Sequence, residues 1–388
     1  MNLTLKANPN YELILYDRLP PSQQECLQDL LKDEDFYGIL RPIDSTQTGL
    51  GVKSVCQNTA LLYLTLQQGS AVPTYLKKRY QEKTEEFIYQ LVIDNIIEVE
   101  NQGKFVSGIE AIPLFSFRHQ IKHDELLGTG KIAQLSLDAL KYAQVLAIDD
   151  SSKLSARLYF YNRLPITPKL LRLYPSKVEI ADYLQISPHH PAGKLLLKHW
   201  REATSTQGDD FWRTWKYLEN LESLNSQEKA TYKLYISPSF EVLGEVFPSL
   251  VKIFTELQVP QFKVGGKQIA GLLRSDKIIA YFGDFDSLKK TADLIMTSLP
   301  NIPSQGVPFT SELDENGLLS WGIDPPSNDQ VLKWQERESW RVWLTNRLAT
   351  GLLSAKNTDS SLEAWQFALY RLQQEGVDPK TWQPLTTL

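Results

Sequence analysis

The sequence predicts an α+β protein, with a C-terminal sheet flanked by helices and a helical region before it. Two stretches carry the prediction. From Thr231 to Phe282, three short runs with β alternation are interrupted by a run of helical period. From Ala60 to Gly108, three helical runs lead into a short hairpin pattern. A chain of 388 residues can bury more than one core. Three regions are read. Residues 1–130 form an α/β domain for peptide recognition or capping, 131–225 a middle segment with aromatic helices, and 226–388 the domain carrying the sheet, with a boundary near Asn225.

In chain order, Pro21 to Leu31 reads as a short helix and Phe36 opens a strand. A helix then ends near Gly69, a second starts about Pro73 and a third near Lys83. Ile96, Ile97, Val99, Phe105 and Val106 suggest a two-stranded wing around Asn101 to Gly103. Strand, three helices and wing is the order of a winged helix, and in pattern it resembles PqqD-like domains that hold leader peptides by strand addition. An α/β cap packed on a catalytic domain is the alternative. A DNA-reading winged helix is disfavoured because LKKRYQEK mixes charges.

Leu135 to Ala147 reads as a helix, followed by a turn at Asp149 to Ser152. SARLYFYNRLPITP is expected as a strand, with Arg157 and Tyr159 on one face. VEIADYLQI is a short helix, and His189 and His190 sit in an exposed linker. The run from Gly193 to about Gln227 is expected to be helical, broken at Ser205 to Asp210, with Trp200, Trp212 and Trp215 filling a core.

In TYKLYIS, Tyr232, Leu234 and Ile236 share one face while Lys233 and Tyr235 share the other. Val242, Val246, Leu250, Ile253, Phe254 and Leu257 then repeat at helical spacing, so that helix packs back on the sheet. Phe262 and Val264 point to the core with Lys263 opposite, and Arg274 precedes the third strand. Two lysines, an arginine and a tyrosine on one sheet surface would form an anion site; the ordinary alternative is a solvated basic face. Beyond it, a helix capped by Asp286 or Ser287 is expected. A last amphipathic helix from Ser360 should stop near Gly376.

Composition narrows the function. Apolar residues make up 42% and charged residues 22%, as in ordinary globular chains. The net charge of −5 supplies no basic field, which speaks against a nucleic-acid partner. Cys26 and Cys56 alone suggest neither a disulfide scaffold nor a zinc cluster, and such usage suits a reducing cytoplasm. No secretory signal pattern opens the chain, and no apolar run approaches ~18 residues, so no membrane span is expected. Gly265-Gly266-Lys267 lacks the rest of a phosphate loop, and Gly128-Thr129-Gly130 is too short for a dinucleotide fingerprint. Asp284-Phe285-Asp286 is read as a helix cap, not a metal motif, and the five histidines suggest no metal cage.

Lys233-x-Tyr235 on a strand, a helix, Phe262-Lys263-Val264, then Leu273-Arg274-x-Asp276-Lys277 before a hydrophobic strand resembles the HopA family of type III secretion effectors. It also resembles related lyases of lanthipeptide and thioamitide pathways. GVPFTSELDENGLLSWGIDPP (Gly306 to Pro326) is similar to their Pro-Phe-Thr segment and Asp-Pro turn, and RESWRVWLTNRLATGLL to their closing helix, with Arg341 near a basic position. The resemblance implies a twisted mixed or antiparallel sheet, as in phosphothreonine lyases. It also implies β-elimination of phosphate from phosphoserine or phosphothreonine, without metal or organic cofactor.

On this reading Lys263 is the base, which requires its uncharged form. An ordinary lysine titrates at about 10.4, and burial beside other cations lowers that value. Lys233 and Arg274 hold the phosphate, Tyr235 donates to the leaving oxygen, and Arg341 and Arg157 complete the anion cage. Phosphothreonine lyases carry histidine where Tyr235 stands, so a member that binds phosphopeptide without turning it over is a live alternative. So is a non-enzymatic effector or adaptor. The expected substrate is a phosphorylated precursor peptide. No kinase motif occurs in the chain, so a separate kinase protein would phosphorylate it.

Overall fold

The structure is a computed structural model that describes residues 3–44, 50–115, 127–203, 211–220, 231–324, 338–356, 358, 360 and 362–385. The boundary near Asn225, and His119 and His123, lie outside the described residues. Among them, the largest sheet has seven strands in the order Ser311–Glu312, Leu319–Asp324, Thr231–Ile236, Ile278–Phe282, Gln261–Val264, Arg213–Tyr217, Trp200–Glu202. Every pairing in it is antiparallel. The fold is therefore a mixed helix-and-sheet one built on a large antiparallel sheet. No described helix is long and apolar enough to cross a membrane.

Alternation sorts the strands into two faces. Leu234, Ile236, Phe262, Val264, Ile278 and Ala280 join the buried core under the helices Phe240–Glu256 and Phe285–Ser298. The first of these helices buries Leu243, Val246, Phe247, Leu250, Val251, Ile253 and Phe254, so helical period meets strand period across one interface. The opposite face carries Lys233 and Tyr235, paired across strands with Tyr281 and Ile279, and then Lys263, opposite Ile279 and Thr214.

Several expected elements change identity. Ser151–Tyr159 is a helix, not a strand. The Asp150 side chain caps it by accepting from the Lys153 N–H at 2.9 Å, and Leu154 and Leu158 bury at helical spacing. Asn162 at φ 65° then turns the chain. Among the described residues of the run expected from Gly193, the α-helix is Pro191–His199, and the expected break at Ser205 to Asp210 lies outside the described residues. Trp200–Glu202 and Arg213–Tyr217 pair as strands and extend the large sheet, so that sheet takes strands from both sides of residue 225. Trp200 and Trp215 fill the core as expected, Trp215 stacking on Phe262 at 5.2 Å. The cap before Leu288 is Asp284, accepting from the Ser287 N–H at 2.8 Å, not Asp286 or Ser287 as expected.

The N-terminal part shows helices Gln57–Thr65, Thr74–Tyr80 and Thr84–Ile93, then the hairpin Ile97–Asn101 and Lys104–Val106. Its two-residue turn, Gln102 and Gly103, has φ of 51° and 82°, the handedness that suits a tight hairpin. The hairpin joins Thr4–Ala7 and Ser70–Ala71 in a four-stranded sheet. Tyr11–Leu15, Phe36–Pro42 and Lys53–Cys56 form a three-stranded one. The helix Ala364–Gln374 spans both halves: Phe367 and Tyr370 enter the N-terminal core, while Leu369 and Leu372 pack with Trp340–Ser354.

Candidate anion-binding site

Basic side chains converge on the second face of the large sheet. The Lys233 ammonium is 5.8 Å from the centre of the Tyr281 ring, and the Lys263 ammonium is 5.6 Å from the same ring. Lys263 also sits over Trp212 at 4.3 Å, and Arg274 lies over Trp212 at 5.0 Å. Two aromatic rings thus link the three cations that the sequence placed on separate elements. Tyr235 is buried among Ile279, Val307, Trp212 and Tyr281.

Two carboxylates organise the cations. Asp276 accepts from Arg274 Nε at 2.8 Å and Nη2 at 2.9 Å, and from Arg341 Nη1 at 2.9 Å. The Tyr159 hydroxyl lies 3.2 Å from Asp276 and accepts from Arg274 at 3.3 Å. Asp324 pairs with Lys233 through one oxygen and accepts the Trp340 N–H at 2.9 Å through the other. That second bond puts a carboxylate at a helix N-terminus, where it is favoured. Lys233 is therefore paired with Asp324, and Arg274 and Arg341 share Asp276.

Burial acts to raise the Asp276 carboxyl, but Arg274 and Arg341 outweigh it and hold the group well below the usual carboxylate range. Burial acts to lower Arg274, and Asp276 reverses that, leaving the guanidinium charged throughout. The Tyr235 phenol is pushed far above its ordinary value, first by burial and then by Asp324, so it stays protonated. Lys277, next in the chain to Asp276, is fully buried and donates to the Pro238 carbonyl at 2.9 Å and to Gln305 Oε1 at 2.5 Å.

Lys233, Tyr235, Lys263 and Arg274 thus share one surface. Arg341 lies beneath it, 2% exposed, with its donors taken by Asp276, the Pro308 carbonyl at 3.1 Å and the Tyr159 carbonyl at 2.5 Å. It braces the site from inside instead of lining it. Arg157 does not join them. It is exposed on the Ser151–Tyr159 helix, and two residues of helix turn it about 200° away from Tyr159. Tyr159 on its expected face, Asp276 in its motif and Asp324 in the Asp-Pro turn are visible in the sequence without a role, Tyr281 carries no signal there, and Trp212, expected in the core, stands beside Lys263 and Arg274. The i, i+2 spacing of Arg274 and Asp276 was a visible signal. The pairing of Lys233 with a residue 91 positions away was not.

No family model and no curated protein matches the chain. Among solved structures, the effector protein from Pseudomonas syringae pv. tomato strain DC3000 is similar at 11% identity and TM-score 0.40, covering 65% of this chain and 96% of that one. The effector protein from Pseudomonas syringae pv. syringae strain 61 is similar at 14% identity and TM-score 0.37, covering 64% and 96%. A phosphothreonine lyase is similar at 14% identity and TM-score 0.26, covering 47% and 99%. These are likenesses of outline, and the chemical reading rests on the side chains described above.

Proposed function

We propose that this protein is a phospho-Ser/Thr lyase: it binds the phosphorylated side chain of a precursor peptide and eliminates phosphate to leave a dehydroamino acid. The observation that carries the reading is the placement of Lys233, Lys263 and Arg274 around Trp212 and Tyr281 on one sheet face. Arg274, oriented by Asp276, and Lys233, oriented by Asp324, receive the phosphoryl oxygens. The Lys263 amine takes the proton from Cα, the C–H pair becomes the Cα–Cβ double bond, and the Cβ–O bond breaks with its electrons leaving on phosphate. Tyr235, kept protonated by its burial, donates a hydrogen bond to the departing oxygen. Arg341 acts through Asp276. Residues 1–130 are assigned to recruiting the peptide, and a separate kinase to phosphorylating it.

A second reading is a non-catalytic phosphopeptide-binding effector or adaptor. Mass spectrometry of a phosphothreonine peptide incubated with the protein separates the two. Elimination removes phosphoric acid, hydrolysis restores the alcohol, and a binder leaves the peptide unchanged. Lys263→Ala is expected to abolish elimination while phosphopeptide still binds. Full turnover by that variant would remove Lys263 from the base role.

A further inference from the structure

Away from the anion site, the corner between the helices Lys177–Tyr183 and Pro191–His199 brings Asp182, His189 and His190 together, with one ligand atom of each within 4.8 Å of the others. We propose that this corner is a binding site for a divalent transition metal of the zinc type, with Asp182, His189 and His190 as ligands. Two imidazoles and a carboxylate form a borderline nitrogen and oxygen set that suits zinc and leaves a position for water.

The backbone holds the three in place. The first helix ends with Gln185 at φ 55°, the Gln185 N–H bonding the Asp182 carbonyl at 3.0 Å and the Ile186 N–H bonding the Ala181 carbonyl at 2.9 Å. The Gln185 side chain ties that end to the Gly244 carbonyl at 3.0 Å, and Ile186 is buried. A turn follows in which the His190 N–H bonds the Ser187 carbonyl at 2.9 Å, and Pro188 and Pro191 restrict φ on either side of the histidine pair. At Gly193 a Cβ would come within 2.1 Å of the Ser187 carbonyl oxygen, so only glycine lets the second helix close on the loop. The Ser187 hydroxyl donates to Asp182 Oδ1, orienting the carboxylate as an outer partner. The imidazole centroids are 4.1 Å apart and tilted by 40°. The cluster is largely exposed, so the ion enters without opening the fold.

The test is a titration of the tag-free full-length protein with Co(II) and with Zn(II), read by cobalt absorption, calorimetry and melting temperature. The expected result is one equivalent of metal with a low-coordinate cobalt spectrum and a raised melting temperature. Affinity should fall by roughly tenfold or more in His189→Ala and Asp182→Asn, and about tenfold in Ser187→Ala. His123→Ala and His199→Ala should leave the titration unchanged. Absence of one-equivalent binding overturns the proposal, as does binding that survives His189→Ala and Asp182→Asn, or binding lost with His123 or His199. Circular dichroism of each variant without metal verifies that the fold is retained, so lost binding is assignable to the ligand.

Discussion

At the scale of single residues, Asp276 and Lys277 are adjacent and oppositely solved. Asp276 is buried charged because two guanidinium groups surround it. Replacing it with asparagine would leave Arg274 and Arg341 facing each other without a counter-charge. Asp276→Asn should therefore cost about 3–5 kcal/mol in denaturant unfolding. A loss under about 1 kcal/mol would mean the arginines relax to water.

Lys277 takes the other route. Burial lowers it to about 7, against the opposing pull of Asp276 and Glu241. A neutral amine keeps two N–H groups, enough for its bonds to Pro238 and Gln305. Between about pH 7 and the ordinary lysine range, the unfolded chain carries a proton that the folded chain lacks, so stability rises with pH there. Below pH 7 both states are charged and the burial penalty is complete. Lys277→Met should flatten the stability profile between about pH 7.5 and 9.5 relative to the parent chain. Parallel profiles would show that Lys277 is buried as an ammonium.

At the scale of elements, the Ser151–Tyr159 helix decides which basic residues meet. Its period sends Tyr159 to Asp276 and turns Arg157 to solvent. Arg157→Ala should leave phosphopeptide affinity within about twofold of the parent, since an exposed charge off the site is screened. A tenfold loss, measured by calorimetry, would return Arg157 to the anion cage. The pair Trp340–Ser354 and Ala364–Gln374 depends on close approach at Gly351, where a Cβ would stand 2.8 Å from Ala368 Cα. Gly351→Ala should cost about 1–3 kcal/mol by overpacking, outweighing the gain in helix propensity. An unchanged or raised melting temperature would show that the helices part easily.

For the whole molecule, the Ala364–Gln374 helix joins the N-terminal core to the C-terminal one, and its Arg371 pairs with Asp94 at 2.6 Å. That sharing predicts a single unfolding transition. All nine tryptophans lie at or beyond residue 200, so their fluorescence reports the C-terminal part. Leu5, fully buried in the N-terminal core, is remote in sequence from all of them. Leu5→Ala should lower the midpoint of the tryptophan transition by the equivalent of about 2–5 kcal/mol. An unshifted tryptophan transition beside an earlier far-ultraviolet one would show that the halves unfold independently.

Periodicity and cap chemistry are local, and they were enough to place the three N-terminal helices, the hairpin at Gln102–Gly103, the amphipathic helix after Ser239 and the inward and outward faces of Thr231–Ile236 and Gln261–Val264. Alternation alone put Lys233 and Tyr235 on one side of a strand, and Lys263 on one side of another. Local pattern failed where two periods fitted the same letters. Arg157 and Tyr159 alternate as in a strand, yet Leu154 and Leu158 recur as in a helix. The aromatic run around Trp215 suited a helix until Phe262 offered it a strand partner. That the separate basic positions face one another, that Asp276 and Asp324 stand between them, and that Trp212 belongs beside Lys263 were decided only by tertiary structure. Ion pairs and ring contacts form between groups distant in the chain, and their energies depend on burial that no stretch of sequence possesses by itself.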